Sequence, residues 1–175
     1  GTNAFIFNTT SGARNIQAPG AVDLTFATNS SERMRITSGG EVLINTTSDA
    51  GDYKLQVNGN SYLNGITKLT KSVEFAYSTK SATYTLTADD YTIVFDVSSA
   101  VTANLPDATT CTGRIYVIKV NNTTNTDVLT IDPNGAQTID GFATYGLQCQ
   151  YGIMIQSDGS NWRIIADFGA GLNCL

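Results

Sequence analysis

The sequence predicts an all-β chain in two parts. A slender, intertwined β-stem runs over residues 1–72, and an antiparallel β-sandwich head, jelly-roll-like, over residues 73–175. Three observations lead there. Charged residues make up only 14% of the chain, against about 25% in an average globular protein, and Thr, Asn, Ser and Gln supply the polarity instead. No stretch sustains the 3.6-residue period of an amphipathic helix. From Tyr145 to Gln156 the residues alternate: Tyr145, Leu147, Cys149, Tyr151, Ile153 and Ile155 share one face, and Gly146, Gln148, Gln150, Gly152, Met154 and Gln156 share the other.

The stem is built from short apolar pieces: Phe5-Ile6-Phe7, Val22-Asp23-Leu24-Thr25-Phe26, Met34-Arg35-Ile36, Val42-Leu43-Ile44, Leu55-Gln56-Val57 and Tyr62-Leu63. Turn signals separate them at Ser38-Gly39-Gly40, Asp49-Ala50-Gly51, Asn58-Gly59 and Asn64-Gly65. Each piece offers two or three side chains for burial. That is too little to offset the ordering entropy of the thread, so other chains must complete the core. An open meander packed on the head is the alternative. The stretch Ile66–Ser72 carries two lysines and no turn residue, and the boundary falls there.

Beyond it the strands lengthen. Thr83–Leu86, Tyr91–Val97 and Val101–Leu105 read as strands, the last stopped by Pro106. Arg114–Val120 is apolar on both faces, which predicts a central strand buried on both sides. Val128–Ile131 ends in the turn Asp132-Pro133-Asn134-Gly135. Tyr145–Gln156 then forms one long strand of a hairpin turning at Asp158-Gly159, and Trp162, Ile164 and Ala166 resume the alternation. Leu147, Ile153, Ile164, Val117 and Phe95 are the expected core.

Composition limits the chemistry. A net charge of −5 with scattered Lys and Arg suits neither nucleic acid, whose binding rests on phosphate neutralisation, nor insertion in a membrane, for which no apolar run is long enough. The absence of histidine removes the commonest general base and metal ligand. Cys111, Cys149 and Cys174 lie far apart and read as reduced. Lys80-Ser81 is not a catalytic pair, because neighbours in an extended segment point apart. Asp89, Asp90, Asp132, Asp140 and Asp158 sit in turns, where a carboxylate serves its own backbone. Asp132, Asn134 and Asp140 form the nearest approach to a calcium loop, without the spacing of one. No cofactor is expected, and no catalytic or metal site. Asn-x-Ser/Thr matches, among them those at Asn8, Asn29, Asn45 and Asn122, occur as often as chance predicts in so Asn- and Thr-rich a chain. Phe142, Tyr116 and Trp162 are candidates either for the core or for a flat face against a sugar.

Glu32-Arg33-Met34-Arg35-Ile36, Gly40–Ile44 and Lys54–Gly59 resemble the shaft modules of bacteriophage tail fibres and related receptor-binding proteins. Tyr84–Leu86, Val101–Pro106, Gly113–Lys119, Leu129–Asp132, Thr138–Gly141 and Ser157–Trp162 are similar, in that order, to C-terminal domains carried on such fibres. The resemblance covers most of residues 29–166. It implies a parallel homotrimer in the virion, made in the bacterial host cytoplasm, with further fibre before residue 1 and a tip that binds a carbohydrate or protein receptor on the host surface. It implies adhesion and not catalysis. A structural segment of a fibre or injection device, and a glycan-cleaving tail spike, are the alternatives. On this reading the contact loops are Asn121–Thr126, Gly141–Tyr145 and Asp158–Asn161. The candidate receptor-binding residues are Asn122, Thr124, Asn125, Phe142, Tyr145, Ser160 and Asn161.

Overall fold

A computed structural model describes residues 6–10, 13–18, 20–121, 129–148 and 150–169. The described residues are essentially all-β and include no α-helix. The chain divides into two compact units, Gly1–Lys68 and Leu69–Leu175.

In the first unit β1 (Ile6–Thr10) and β2 (Ala13–Gln17) form an antiparallel hairpin. A second sheet joins β3 (Leu24–Thr28), β4 (Ser31–Ile36), β5 (Val42–Ile44) and β6 (Leu55–Val57) in that order. The first two pairings are antiparallel and the last is parallel. Asn29 and Ser30 turn β3 into β4 with φ of 50° and 57°. Two successive left-handed residues are what a two-residue hairpin turn needs to follow the strand twist. Residues 58–76 follow without regular structure, and all are exposed.

The second unit contains β7 (Tyr77–Lys80), β8 (Tyr84–Thr85), β9 (Thr92–Phe95), β10 (Val101–Asn104), β11 (Ile115–Val120), β12 (Leu129–Asp132), β13 (Tyr145–Leu147), β14 (Gly152–Ser157) and β15 (Trp162–Phe168). They form a five-stranded sheet, β15-β14-β11-β9-β7, and a four-stranded sheet, β13-β12-β10-β8. From β7 to β12 the chain changes sheet at every strand. Strands that are neighbours in one sheet are therefore parallel: β7 with β9, β9 with β11, β8 with β10, and β10 with β12. A parallel pair needs a long crossover, usually a helix. Here a strand of the other sheet takes that part. β13 and β14 then add antiparallel to β12 and β11, and β15 to β14.

The antiparallel head expected from the sequence is thus corrected: both sheets are mixed. One apolar cluster draws on both, including Ile93, Phe95, Ile118 and Ile153 from the first and Leu129 and Ile131 from the second. Tyr116 and Trp162 lie in the same core, fully buried and stacked with ring centroids 5.5 Å apart. Neither therefore presents a face to a ligand. The Tyr116 hydroxyl donates to Thr87 O at 2.7 Å, which satisfies a phenol that would otherwise be costly to bury.

The long strand over residues 145–156 is also corrected. β13 belongs to the four-stranded sheet and β14 to the five-stranded one. The chain changes sheet between them, with Gln150 at φ 61°. Leu147, Ile153 and Phe95 are buried as expected. Val117 and Ile164 are only half-buried, and Tyr151 is exposed. Cys149 lies outside the described residues.

Candidate functional site

Of the expected receptor-binding residues, Asn122, Thr124 and Asn125 lie outside the described residues. The other four belong to the segments around the turns at 139–142 and 157–162. Ile139 N donates to Phe142 O at 2.8 Å, and Phe142 N to Ile139 O at 2.9 Å. The two residues between, Asp140 and Gly141, take φ of 49° and 91°, as a tight hairpin turn requires. The same segment lies along β15: Trp162 N donates to Thr138 O at 2.9 Å, and Asp140 N to Trp162 O at 3.1 Å. Phe142 is thereby held on a short, doubly bonded turn whose other strand is anchored by buried Ile139 and Trp162. Phe142 is 65% exposed.

Asn161 helps to build this platform. Its Oδ1 accepts from Thr138 N at 2.8 Å and from Thr138 Oγ1 at 3.0 Å, so it fastens the two segments together. Ser160 is exposed beside it, and Tyr145 is half-buried against the core. Asp158 organises its own hairpin. Its Oδ1 accepts from Ser160 N and Asn161 N at 2.8 and 2.7 Å, and its Oδ2 from Arg163 Nε at 2.8 Å. Those backbone donors, with Arg163 behind them, hold the carboxyl below its ordinary range. Gly159 takes φ of 91°, and a Cβ there would fall 2.8 Å from Thr112 Oγ1. The hairpin tip can pack this closely only without a side chain. Asp90 likewise serves its turn, accepting from Thr87 N, Thr87 Oγ1 and Tyr84 Oη. Among the described residues no three Cys, Asp or Glu side chains converge as metal ligands, and no helix is long and apolar enough to cross a membrane.

A second kind of surface was not legible in the sequence, because it needs the strand register. Directly paired residues share a face of a sheet. In the first unit the pairing aligns Leu24, Ile36, Val42 and Leu55 in one row and Phe26, Met34, Ile44 and Val57 in the next. Two complete rows across four strands are apolar and uncharged, yet none of the eight side chains is fully buried and Leu55 is 63% exposed. The other face satisfies itself. Gln56 Nε2 donates to Asp49 Oδ1, Gly51 O and Tyr53 O within 3.0 Å, and its Oε1 accepts from Ala50 N at 2.8 Å. Arg35 is paired with Glu32 and Asp23.

Glu41 closes that polar face with Lys54 and Thr37. The hydrogen bond from Lys54, then that from Thr37, lowers its pKa from 4.5 to about 2. The unfolded chain therefore binds the proton first as the medium is acidified. The contribution of Glu41 to stability is complete above about pH 4.5 and is lost as the pH falls towards about 2. In acid-range unfolding followed by circular dichroism, Glu41→Gln is expected to flatten the loss of first-unit stability over that interval. Parallel wild-type and variant curves would refute this role.

The head has an outer row of the same kind. Tyr77, Thr92, Val117, Met154 and Ala166 align across all five strands of the larger sheet without a charge. Tyr77 is 67% exposed and the others are half-buried. The doubly apolar β11 is thus central, as expected, but the single chain covers only one of its faces fully. Lys119 leans aside. Its ammonium donates to Gln150 O at 2.6 Å, across Gly152, where a Cβ would meet Lys119 Cβ at 3.3 Å.

No protein-family model matches the chain. No curated protein matches it.

Proposed function

We propose that the chain is the receptor-binding end of a homotrimeric bacteriophage tail fibre, adhering to the host bacterial surface without catalysis. The observation that carries this reading is the uncovered apolar face of the β3–β6 sheet. Leu43 is the one fully buried hydrophobic side chain of the β3–β6 sheet. Such a side chain contributes about 1.5–3 kcal/mol, whereas ordering each backbone residue costs roughly 1–2 kcal/mol. The unit needs further copies over its two apolar rows, which is the behaviour of an intertwined stem. The head is self-supporting by contrast, a sandwich with its own core. A fibre carrying such heads acts by multivalency: linked weak sites raise avidity by about 10²–10⁴ with no new contact. In the virion, more of the fibre precedes residue 1, and the receptor is a carbohydrate or protein of the cell surface.

Phe142 is the proposed anchor. A hot-spot aromatic at an interface is worth about 2 kcal/mol or more, and tenfold in affinity is about 1.4 kcal/mol. Phe142→Ala is therefore expected to weaken attachment of the purified chain to susceptible bacterial cells by more than tenfold, with the assembly mass unchanged. If the variant stays assembled and binds like the parent, the receptor is met elsewhere. Failure of the parent to bind any cell of a broad panel would favour the purely structural segment. Release of reducing sugar from host polysaccharide would favour the spike.

A further inference from the structure

Asn-Gly occurs three times, as Asn58-Gly59, Asn64-Gly65 and Asn134-Gly135. With no Cβ on the glycine to shield it, the glycine amide nitrogen can attack the Asn side-chain carbon. The N–Cγ bond forms and the Cγ–Nδ2 bond breaks. The glycine nitrogen gives up its proton and the side-chain amide leaves as ammonia. Water then opens the cyclic imide at one carbonyl or the other. The product is aspartate, or an isoaspartyl linkage in which the main chain runs through Cγ. No electrons are exchanged, and water is the one co-reactant.

Ring closure requires the backbone to swing the glycine nitrogen over Cγ, and the three sites differ in that freedom. Asn58 is held at three points. Its N donates to Ile44 O at 3.0 Å, its O accepts from Asn45 Nδ2 at 2.9 Å, and its own Nδ2 donates to Asn45 O at 3.3 Å. Asn134 is held in a turn, where its O accepts from Gln137 N at 3.1 Å. Gln137 is itself fastened to Ala108 N and to Asp107. Asn64 makes no hydrogen bond among the described residues, and it stands within the exposed stretch 58–76, which has no regular secondary structure.

We propose that Asn64 is a site of spontaneous deamidation, converting ahead of the other two Asn-Gly pairs because the fold restrains them and leaves it free. The conversion places a new carboxylate beside Leu63 and close to Ile66, which are 71% and 102% exposed. It takes residues 58–76 to lie outside the contacts that assemble the stem.

The test is to hold the purified full chain in warm, mildly alkaline buffer and to map its peptides by mass spectrometry over time. Aspartyl and isoaspartyl products are separated chromatographically. A parallel sample is held in strong denaturant. In the folded chain Asn64 is expected to convert several-fold faster than Asn58 and Asn134, and in denaturant the three rates should converge. Gly65→Ala should slow the conversion several-fold, and Asn64→Gln should remove it. The proposal is overturned if Asn64 in the folded chain keeps its amide as long as Asn58 or Asn134. It is equally overturned if its lead persists unchanged in denaturant, since the fold would then not be its cause.

Discussion

Trp162→Ala is expected to destabilise the second unit by about 3–5 kcal/mol, the usual cost of removing a large aromatic side chain from a core. Trp162 is fully buried and stacks on Tyr116. Its backbone also takes the hydrogen bonds that hold residues 138–140 against β15. Deleting the indole leaves a cavity where that segment meets the core, so Phe142 should lose its fixed setting as well. The indole Nε1 has no hydrogen-bond partner among the described residues, so its removal forfeits no polar interaction there. Trp162→Phe should for that reason cost distinctly less than Trp162→Ala. Urea unfolding followed by far-ultraviolet circular dichroism measures both, and a loss below about 0.5 kcal/mol, the level of a surface change, would show that the cavity closes by itself.

Much of the head was legible because alternation reports a property of each strand alone. Tyr145, Leu147, Ile153 and Ile155 were assigned to one face, and the last three are buried. The assignment survives the change of sheet between β13 and β14 because both sheets look onto one core, and Leu147 and Ile153 are six positions apart, an even offset. Alternation says nothing of which strand pairs with which. A chain that changes sheet at every strand yields parallel neighbours, and nothing in Val101–Leu105 or Arg114–Val120 announces that. Both faces of β11 were correctly read as apolar. The inference that both are buried within one chain fails, because a strand carries the same pattern whether its second face is covered by its own chain or by another.

The candidate site divides in the same way. Asp158-Gly159 and Asp140-Gly141 were readable as turns from residue chemistry, and both carry positive φ at the glycine. The second role of Asn161, tying Thr138 to the hairpin, depends on a contact between residues 23 apart in sequence, which no local pattern encodes. The stem offers the sharpest contrast. Its apolar triplets were evident one by one. That Leu24, Ile36, Val42 and Leu55 line up in a single row follows only from a register that combines antiparallel and parallel pairing.

The two apolar rows of this sheet carry the larger of the two effects. With the stem assembled as proposed, the full chain is expected to run in light scattering at three times its 18.6 kDa mass. Ile44 and Val57 are direct partners in the second apolar row, and neither is fully buried by its own chain. Replacing both by Asp leaves the polar face of the sheet, with its Gln56 and Arg35 networks, untouched. At the interface, however, each carboxylate would be desolvated without a partner, at a cost of several kcal/mol per ion. Each copy contributes two of them, and they repel one another across the contact. Ile44→Asp with Val57→Asp should therefore convert the chain to a monomer while the circular dichroism and urea midpoint of the head persist, since that core contains neither residue. Trp162→Ala should show the reverse pattern, a weakened head on a stem that still assembles. A double variant that keeps the parent's mass would mean that the two rows do not form the interface. A parent chain that is itself a folded monomer would sink the stem reading altogether, because Leu43 alone would then have to hold a sheet that it cannot stabilise.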